Sequence, residues 1–264
     1  MPFTLAHAAA ALPFRRFKPV WPALVIGTFA PDFEYFLRVS DESHTGHQFP
    51  GVLIFTLPSA VLVVWLFESY VKRPAIELLP ASLRRRLQDR TQSLSFTRLR
   101  TVLAVVGWAA IGVATHLLWD SLTHNPSWPS EHWAWLSQPV AVPWHAPVTV
   151  SKLLQYVSSL FGIVVLTAWL VLWYIRTTPA AESRAHELSP WRKMTAVFMI
   201  SGIALIGGDR IAQVRLQEGP RVSSMNALAT GIEATTLVFC AEMLLYGVVR
   251  TYTTKTRTAS LLVS

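Results

Sequence analysis

His116, Asp120 and His124 recur every four residues in the segment THLLWDSLTH (115–124). At 100° per residue the three drift by only about 40° per step, so on a helix they share one face. Two imidazoles and a carboxylate at this spacing form a ligand ladder for Zn²⁺ or a similar divalent ion, which binds such groups at about 2.0–2.2 Å. A polar patch that hydrates a helix end would show the same spacing, so the ladder needs support from elsewhere in the chain.

Three further stations supply it. TLAH places His7 near the N-terminus, APDFEYF places Asp32 and Glu34 directly after an apolar arm, and SHTGH places His44 and His47 just ahead of a long apolar run. An ionisable side chain near membrane depth is costly, and is usually paired, hydrated or bound to an ion. A bound divalent ion, Zn²⁺ first and Mn²⁺ second, would bring the pKa of its water toward ~7 and polarise a phosphoryl or carbonyl oxygen. Asp32 or Glu34 would then serve as general base.

The elements that must hold these residues are membrane helices. Of 264 residues, 52% are hydrophobic and 14% are charged, against about 25% charged in an ordinary soluble domain. The net charge is +8, but the basic residues sit in short blocks between apolar runs, where they orient helices and do not form a nucleic-acid surface. Cys240 has no second cysteine to pair with. Stretches 52–70, 101–119, 155–175, 194–208 and 228–249 approach or exceed the ~20 apolar residues that cross a bilayer, the fourth being the shortest. A backbone in lipid must satisfy its own hydrogen bonds, so these are helices. The expected fold is an all-α polytopic membrane helix bundle with about five spanning helices. It forms one membrane domain over 1–264, with the metal-site region in 1–180 and a C-terminal helix pair in 181–264.

The loop 71–100 carries eight basic residues against Glu77 and Asp89, which assigns it to the cytoplasm. Alternation then puts 120–154 outside. The loop 209–227, with Arg210, Arg215 and Arg221, dissents, being basic yet external. FTLAHAAAALPF and VWPALVIGTFA are each too short to span and are separated by RRFKP, so a re-entrant hairpin is expected that returns His7 to the neighbourhood of Asp32. The charges of this N-terminus follow its apolar stretch, the reverse of a secretory signal, and it is expected to be retained. On this topology every station reaches the external side. Trp119, Trp128, Trp133, Trp135 and Trp144 crowd 119–144, and 120–154 holds five prolines, the pattern of an irregular loop whose indoles lie at headgroup level. The stretch 80–100 reads either as a basic amphipathic helix on the inner leaflet or as a solvated loop.

Other polar residues carry less. Lys152 and Gln155 would meet lipid phosphates, or Lys152 simply snorkels. Glu233 and Glu242 in the fifth span would mark a cation or proton path. Asp209 and Arg210 read as a helix-end ion pair. Ser121, Ser158 and Ser159 lack the context of a serine nucleophile.

MPFTLAHAAAALP, ALVIGTFAPDFEYFL, GHQFPGVLIFTLP, THLLWDSLTH and KLLQYVSSLFG resemble, over the N-terminal two thirds, the bacterial membrane-protein family of domain of unknown function 4184, for which no activity follows. More distantly, the order His, Pro-Asp, a Thr/Ser-flanked His, then His-x-x-x-Asp is similar to inner-membrane metal-dependent hydrolases and to the zinc-dependent phospholipase C fold. The resemblance implies His7, Asp32, His47, His116 and Asp120 as metal ligands or close neighbours. His44 and His124 are second choices; SHTGH spaces its histidines by three, unlike the HRGxTHS-like run of the distant group, which leaves open which of His44 and His47 binds. The expected function is a metal-dependent hydrolase, multi-pass in the inner membrane, acting on a phosphoester or lipid-type substrate from the periplasmic side, with membrane lipids as its partners and no nucleic acid. Two other classes stay open: a non-catalytic membrane protein with a structural metal or polar cluster, and a small transporter.

Overall fold

The computed structural model describes residues 4–17, 20–38, 45–142, 145–181, 188–217 and 224–263. Among them, five helices are long and apolar enough to cross a membrane: Phe49–Leu78, Leu99–His132, Val150–Arg176, Pro190–Gln217 and Asn226–Thr254. Large apolar side chains remain outward on these helices, among them Leu103, Ile111, Leu160, Phe161, Phe198 and Leu245. In water that surface would drive aggregation; in hydrocarbon it costs nothing. The chain is a multi-pass helical membrane protein.

In chain order the elements are a 3-10 segment (Thr4–Phe14), α1 (Trp21–Gly27), a single turn (Ala30–Asp32), α2 (Phe33–Arg38), α3 (Phe49–Leu78), α4 (Ala81–Arg86), α5 (Leu99–Thr123), α6 (Trp128–His132), β1 (Pro139–Val142), β2 (His145–Thr149), α7 (Val150–Arg176), α8 (Pro190–Gln217) and α9 (Ser224–Val263). Two compact units emerge, one from residues 1–33, 44–64 and 96–173, the other from 34–43, 65–95 and 174–264.

In the first unit the N-terminal hairpin forms as the apolar lengths require, and the Trp21 indole N–H donates to the Ala11 carbonyl at 2.8 Å to hold its two arms together. Behind it, Ala30, Ala60, Ala109 and Val113 make a core of small side chains. Small residues let membrane helices approach closely, so that dispersion between backbones takes the place of a hydrophobic drive. At the crossing of α1 and α5 only glycine fits: a Cβ on Gly27 would strike the Ala109 carbonyl, and one on Gly112 the Leu24 carbonyl. The segment after α5 is more regular than its prolines implied. It holds α6, whose Ser127 and Ser130 cap each other reciprocally, and the antiparallel pair β1–β2 in the register Val140↔Val148. Trp119, Trp128, Trp133 and Trp135 are exposed there, while Trp144 lies outside the described residues.

In the second unit α8 packs along α9. Helix α8 runs past both ends of the expected 194–208 because Arg192, Lys193, Arg210, Arg215 and Gln213 are competent helix formers. Asp209 and Arg210 are therefore inside a helix and not at its end, and Asp209 accepts a 2.6 Å hydrogen bond from Gln213 one turn on. The basic loop that dissented from the charge rule shrinks accordingly: Arg210 and Arg215 belong to α8, and Arg221 is outside the described residues. The stretch 80–100 does not form one amphipathic helix. Helix α4 is six residues long, and after the single turn Gln88–Arg90 the carbonyls of Thr91 and Gln92 accept hydrogen bonds from Arg73 and Lys72 at 2.8 and 2.7 Å. Lys72 also pairs at 3.0 Å with Glu68, a fully buried carboxylate that accepts from the Leu94 amide.

Candidate metal centre

Five side chains from four stretches of the first unit converge. Helix α5 presents His116 and Asp120 one turn apart on its buried face. The hairpin brings His7 on one arm and Asp32 on the turn after the other. His47 arrives on the loop ahead of α3, which is pinned when Thr56 donates to the Gly46 carbonyl at 2.9 Å. His7, Asp32, His116 and Asp120 are buried, while the His47 side chain keeps 24% of its surface and forms the open edge.

The separations are diagnostic. His116 Nε2 lies 3.2 Å from Asp120 Oδ2 and 3.6 Å from Asp32 Oδ1. His47 Nε2 lies 3.5 Å from Asp32 Oδ1 and 3.6 Å from Asp120 Oδ2, and His7 Nε2 lies 3.4 Å from Asp120 Oδ1. A charge-assisted N–H···O bond would be about 2.7–2.9 Å. Two ligands at about 2.0–2.2 Å from one tetrahedral ion stand about 3.3–3.6 Å apart, close to the 3.2–3.6 Å found.

The groups behind these side chains agree. His116 Nδ1 donates to the Thr28 carbonyl at 2.8 Å, and a carbonyl can only accept, so the tautomer is set and Nε2 is turned to the carboxylates. That Nε2, like Asp120 Oδ1, is buried and makes no hydrogen bond. A neutral His116 ring would turn its Nε2 lone pair onto carboxylate oxygens in a dry site, which is repulsive; a bound cation or a second ring proton between them removes the repulsion. Thr4 occupies the other side of Asp32, donating to Oδ2 at 2.6 Å and leaving Oδ1 for the centre. The His7 ring stacks on His116 with centroids 4.0 Å apart.

Two of the histidines titrate outside the spanning segments. Burial, then the neighbouring His116, lower His7 to about 4 against the pull of Asp120 and Asp32, so it is neutral and free to ligate at physiological pH. Burial also opposes a charge on His47, but hydrogen bonds and charge from Asp120 and Asp32 outweigh it and raise His47 to about 9. Without an ion, a proton on His47 stands in for one.

The ligand atoms resolve into two sets, His7–His116–Asp120 and Asp32–His47–His116, with all atoms of a set within 4.8 Å of one another. This is a cluster able to hold a metal ion, with three imidazoles and two carboxylates as its donors. The remaining candidates are placed differently. Helix α5 ends at Thr123, so His124 has extended backbone and leaves the ladder. Its Nδ1 stays 3.7 Å from Asp120 Oδ2, and its Nε2 meets the buried Gln155 amide nitrogen at 3.0 Å. Glu34 is buried and pairs with Arg38 at 2.9 Å. His44 is outside the described residues. Sequence reasoning did not find Thr4, Thr28 or the contact of Gln155 with His124. Thr4 sits one helical turn before His7, a weak signal; the Thr28 carbonyl is main chain and leaves no signature.

A protein-family model, Domain of unknown function (DUF4184), matches residues 1–251, and the chain belongs to that family. No curated protein and no solved structure matches it.

Proposed function

We propose that this member of the family is a metal-dependent hydrolase that acts on a phosphoester or lipid-type substrate at the outer headgroup level. The single observation that carries the reading is His116: pinned through Nδ1 by the Thr28 carbonyl, it turns a buried Nε2 without a hydrogen bond onto Asp32 and Asp120. Each ligand set offers three protein ligands, the number that catalytic zinc sites use while keeping a position for water or substrate. A bound divalent ion would supply an acidified water and polarise an ester oxygen.

The chain's own residues do the rest. Thr4 holds Asp32 so that one oxygen faces the centre, where it ligates or takes a proton. His7 stays neutral, and Asp120 Oδ1 has no competing hydrogen bond, so both remain available as donors to a cation. His47, the open edge of the cluster, marks the way in for substrate. Exposed indoles at Trp119, Trp128, Trp133 and Trp135 favour a headgroup-level setting.

A second reading has one observation in its favour: ligands from four separate stretches would let an ion act as a staple between the hairpin and α5. Protein purified gently in detergent should carry Zn or Mn, lose it in His116→Ala, and release phosphate or alcohol from phosphoester lipids in a metal-dependent way. Metal retained without turnover and without an exchangeable water, read by X-ray absorption and pulsed EPR of the Mn form, would favour the staple. Protein free of metal under those conditions would end both readings.

A further inference from the structure

We infer that Gln155 on α7 is a positioning residue of the metal centre, acting through His124 to hold Asp120 in place. The inference rests on the metal reading above and adds to it two residues that touch no ion.

Asp120 is the side chain on which the centre depends most. All three imidazoles face it: His7 at 3.4 Å from Oδ1, and His116 and His47 at 3.2 and 3.6 Å from Oδ2. Yet Asp120 lies in the last turn of α5, where a helix loosens first because its carbonyls lack amide partners further along. His124 supplies the restraint. Its main-chain N–H donates to the Asp120 carbonyl at 3.0 Å, and its ring Nδ1 donates to the same oxygen at 3.2 Å.

This double clamp sets the tautomer of His124. The Asp120 carbonyl can only accept, and the Thr123 hydroxyl, 3.3 Å from Nδ1, donates its own proton to the Trp119 carbonyl at 3.2 Å. Nδ1 therefore carries the hydrogen and Nε2 the lone pair. Gln155 meets that lone pair with its amide N–H at 3.0 Å.

Helix α7 is docked by polar contact and close approach, not by apolar side chains. Among its described residues only Ser151, Gln155 and Gly162 are buried, and they share one helix face within about 40°. Tyr156, Val157, Leu160 and Phe161 stay exposed. Ser151 accepts from the Asn125 amide at 2.9 Å, directly after His124, and a Cβ on Gly162 would strike Ala6, directly before His7. The buried face of α7 thus bears on the chain beside two of the ligands.

Placing a glutamine in that face has a cost. Its Oε1 is buried and has no hydrogen-bond partner among the described residues. A methionine or leucine would fill similar space without stranding an acceptor. What the glutamine contributes is the N–H toward His124.

Zn²⁺ affinity of the full chain in detergent, measured by chelator competition, tests this together with nitrogen NMR of the His124 ring in the Zn-loaded protein. Gln155→Met and His124→Leu should each weaken Zn²⁺ binding about tenfold. The double variant should bind no more weakly than either, because two residues acting in series provide one support. Val157→Ala, on the exposed side of α7, should bind as the wild type does. Wild-type His124 should carry hydrogen on Nδ1 with a bare Nε2, and Gln155→Glu, whose carboxylate can only accept, should put a hydrogen on Nε2. Unchanged affinity in Gln155→Met, additive losses in the double variant, or hydrogen on Nε2 in the wild type overturns the inference and leaves the metal reading standing. Wild type that binds no Zn²⁺ overturns both. Where a variant does not fold, the wild-type tautomer decides.

Discussion

Thr28 and His116 are 88 residues apart in the chain and meet through a 2.8 Å hydrogen bond from the imidazole Nδ1 to the main-chain carbonyl. The contact exists because α1 and α5 touch backbone to backbone at Gly27 and Gly112, which brings the end of α1 within reach of the α5 ring. Removing the partner that orients a ligating histidine costs about 10–100-fold in metal affinity. Gly112→Ala forces a methyl into the Leu24 carbonyl and the Thr28 amide, so it should weaken metal binding by about that factor, read by chelator competition. Gly107→Ala is the control, since a methyl there meets nothing within 4 Å. Equal affinities for the two variants would detach the glycine crossing from the site.

The pH response of stability follows from two opposed histidines. His47, raised to about 9, favours the folded metal-free protein fully below its unfolded value of ~6.5, and that contribution disappears as pH climbs from 6.5 through 9. His7, lowered to about 4, favours the folded state above 6.5, and its contribution disappears as pH falls from 6.5 through 4. The metal-free protein should thus melt highest near pH 6.5 and lower on both sides. Metal replaces the His47 proton, so affinity should rise roughly tenfold per unit toward pH 9 and the alkaline fall should vanish in loaded protein. A metal-free melting profile flat from 6.5 to 9 would rule out the His47 assignment.

How much of this was legible in the sequence depends on distance along the chain. The spanning helices could be read because apolar length is a local property, and α8 was read short because its charged ends mask a helix that propensity continues. His116 and Asp120 were legible as a pair one turn apart on a helix. The meeting of His7 with Asp32 followed from two arms too short to span, which had to fold back. What could not be read was main-chain geometry, since the Thr28 carbonyl has no sequence signature; the end of α5 at Thr123, which turns His124 to extended backbone, was open to reading from Asn125-Pro126 just beyond it. The splay of Asp120, with Oδ1 toward His7 and Oδ2 toward His47 and His116, needs distances that no spacing rule provides.

Asp32 and Glu34 were equal candidates for a general base, and their partners now separate them. Asp32 has Thr4 on one oxygen and two imidazoles on the other, whereas Glu34 pairs with Arg38 along α2. Asp32→Ala should lower metal affinity by at least about tenfold, since it removes a ligand and strands the Thr4 hydroxyl. Glu34→Gln should leave metal content unchanged. Loss of metal in Glu34→Gln, with the protein still monodisperse, would return Glu34 to the site.

Sidedness is open to a labelling experiment. Ser130 is buried and caps α6, so a reporter belongs at its exposed neighbour Glu131, with Asp89 as the opposite control. In a Cys240→Ser background, an impermeant maleimide added to intact cells should modify Glu131→Cys and reach Asp89→Cys only after permeabilisation, as the basic 71–100 loop requires. The reverse pattern would move the metal centre to the cytoplasmic face.

Glu68 offers a test of the second unit that is independent of the metal. Its side chain is fully buried, held by Lys72 at 3.0 Å and by the Leu94 amide at 3.0 Å, and Lys72 in turn fixes the carbonyl of Gln92. Removing one partner of a buried ion pair strands a charge at a cost of about 3–5 kcal/mol, whereas removing both charges is close to neutral. Lys72→Met should therefore destabilise the protein strongly. The double variant Glu68→Gln/Lys72→Met should recover most of that loss, because the amide oxygen of glutamine still accepts from Leu94. Unfolding in detergent by SDS titration measures both. If the double variant is no more stable than Lys72→Met, the penalty comes from the lost Gln92 contact and not from a stranded carboxylate.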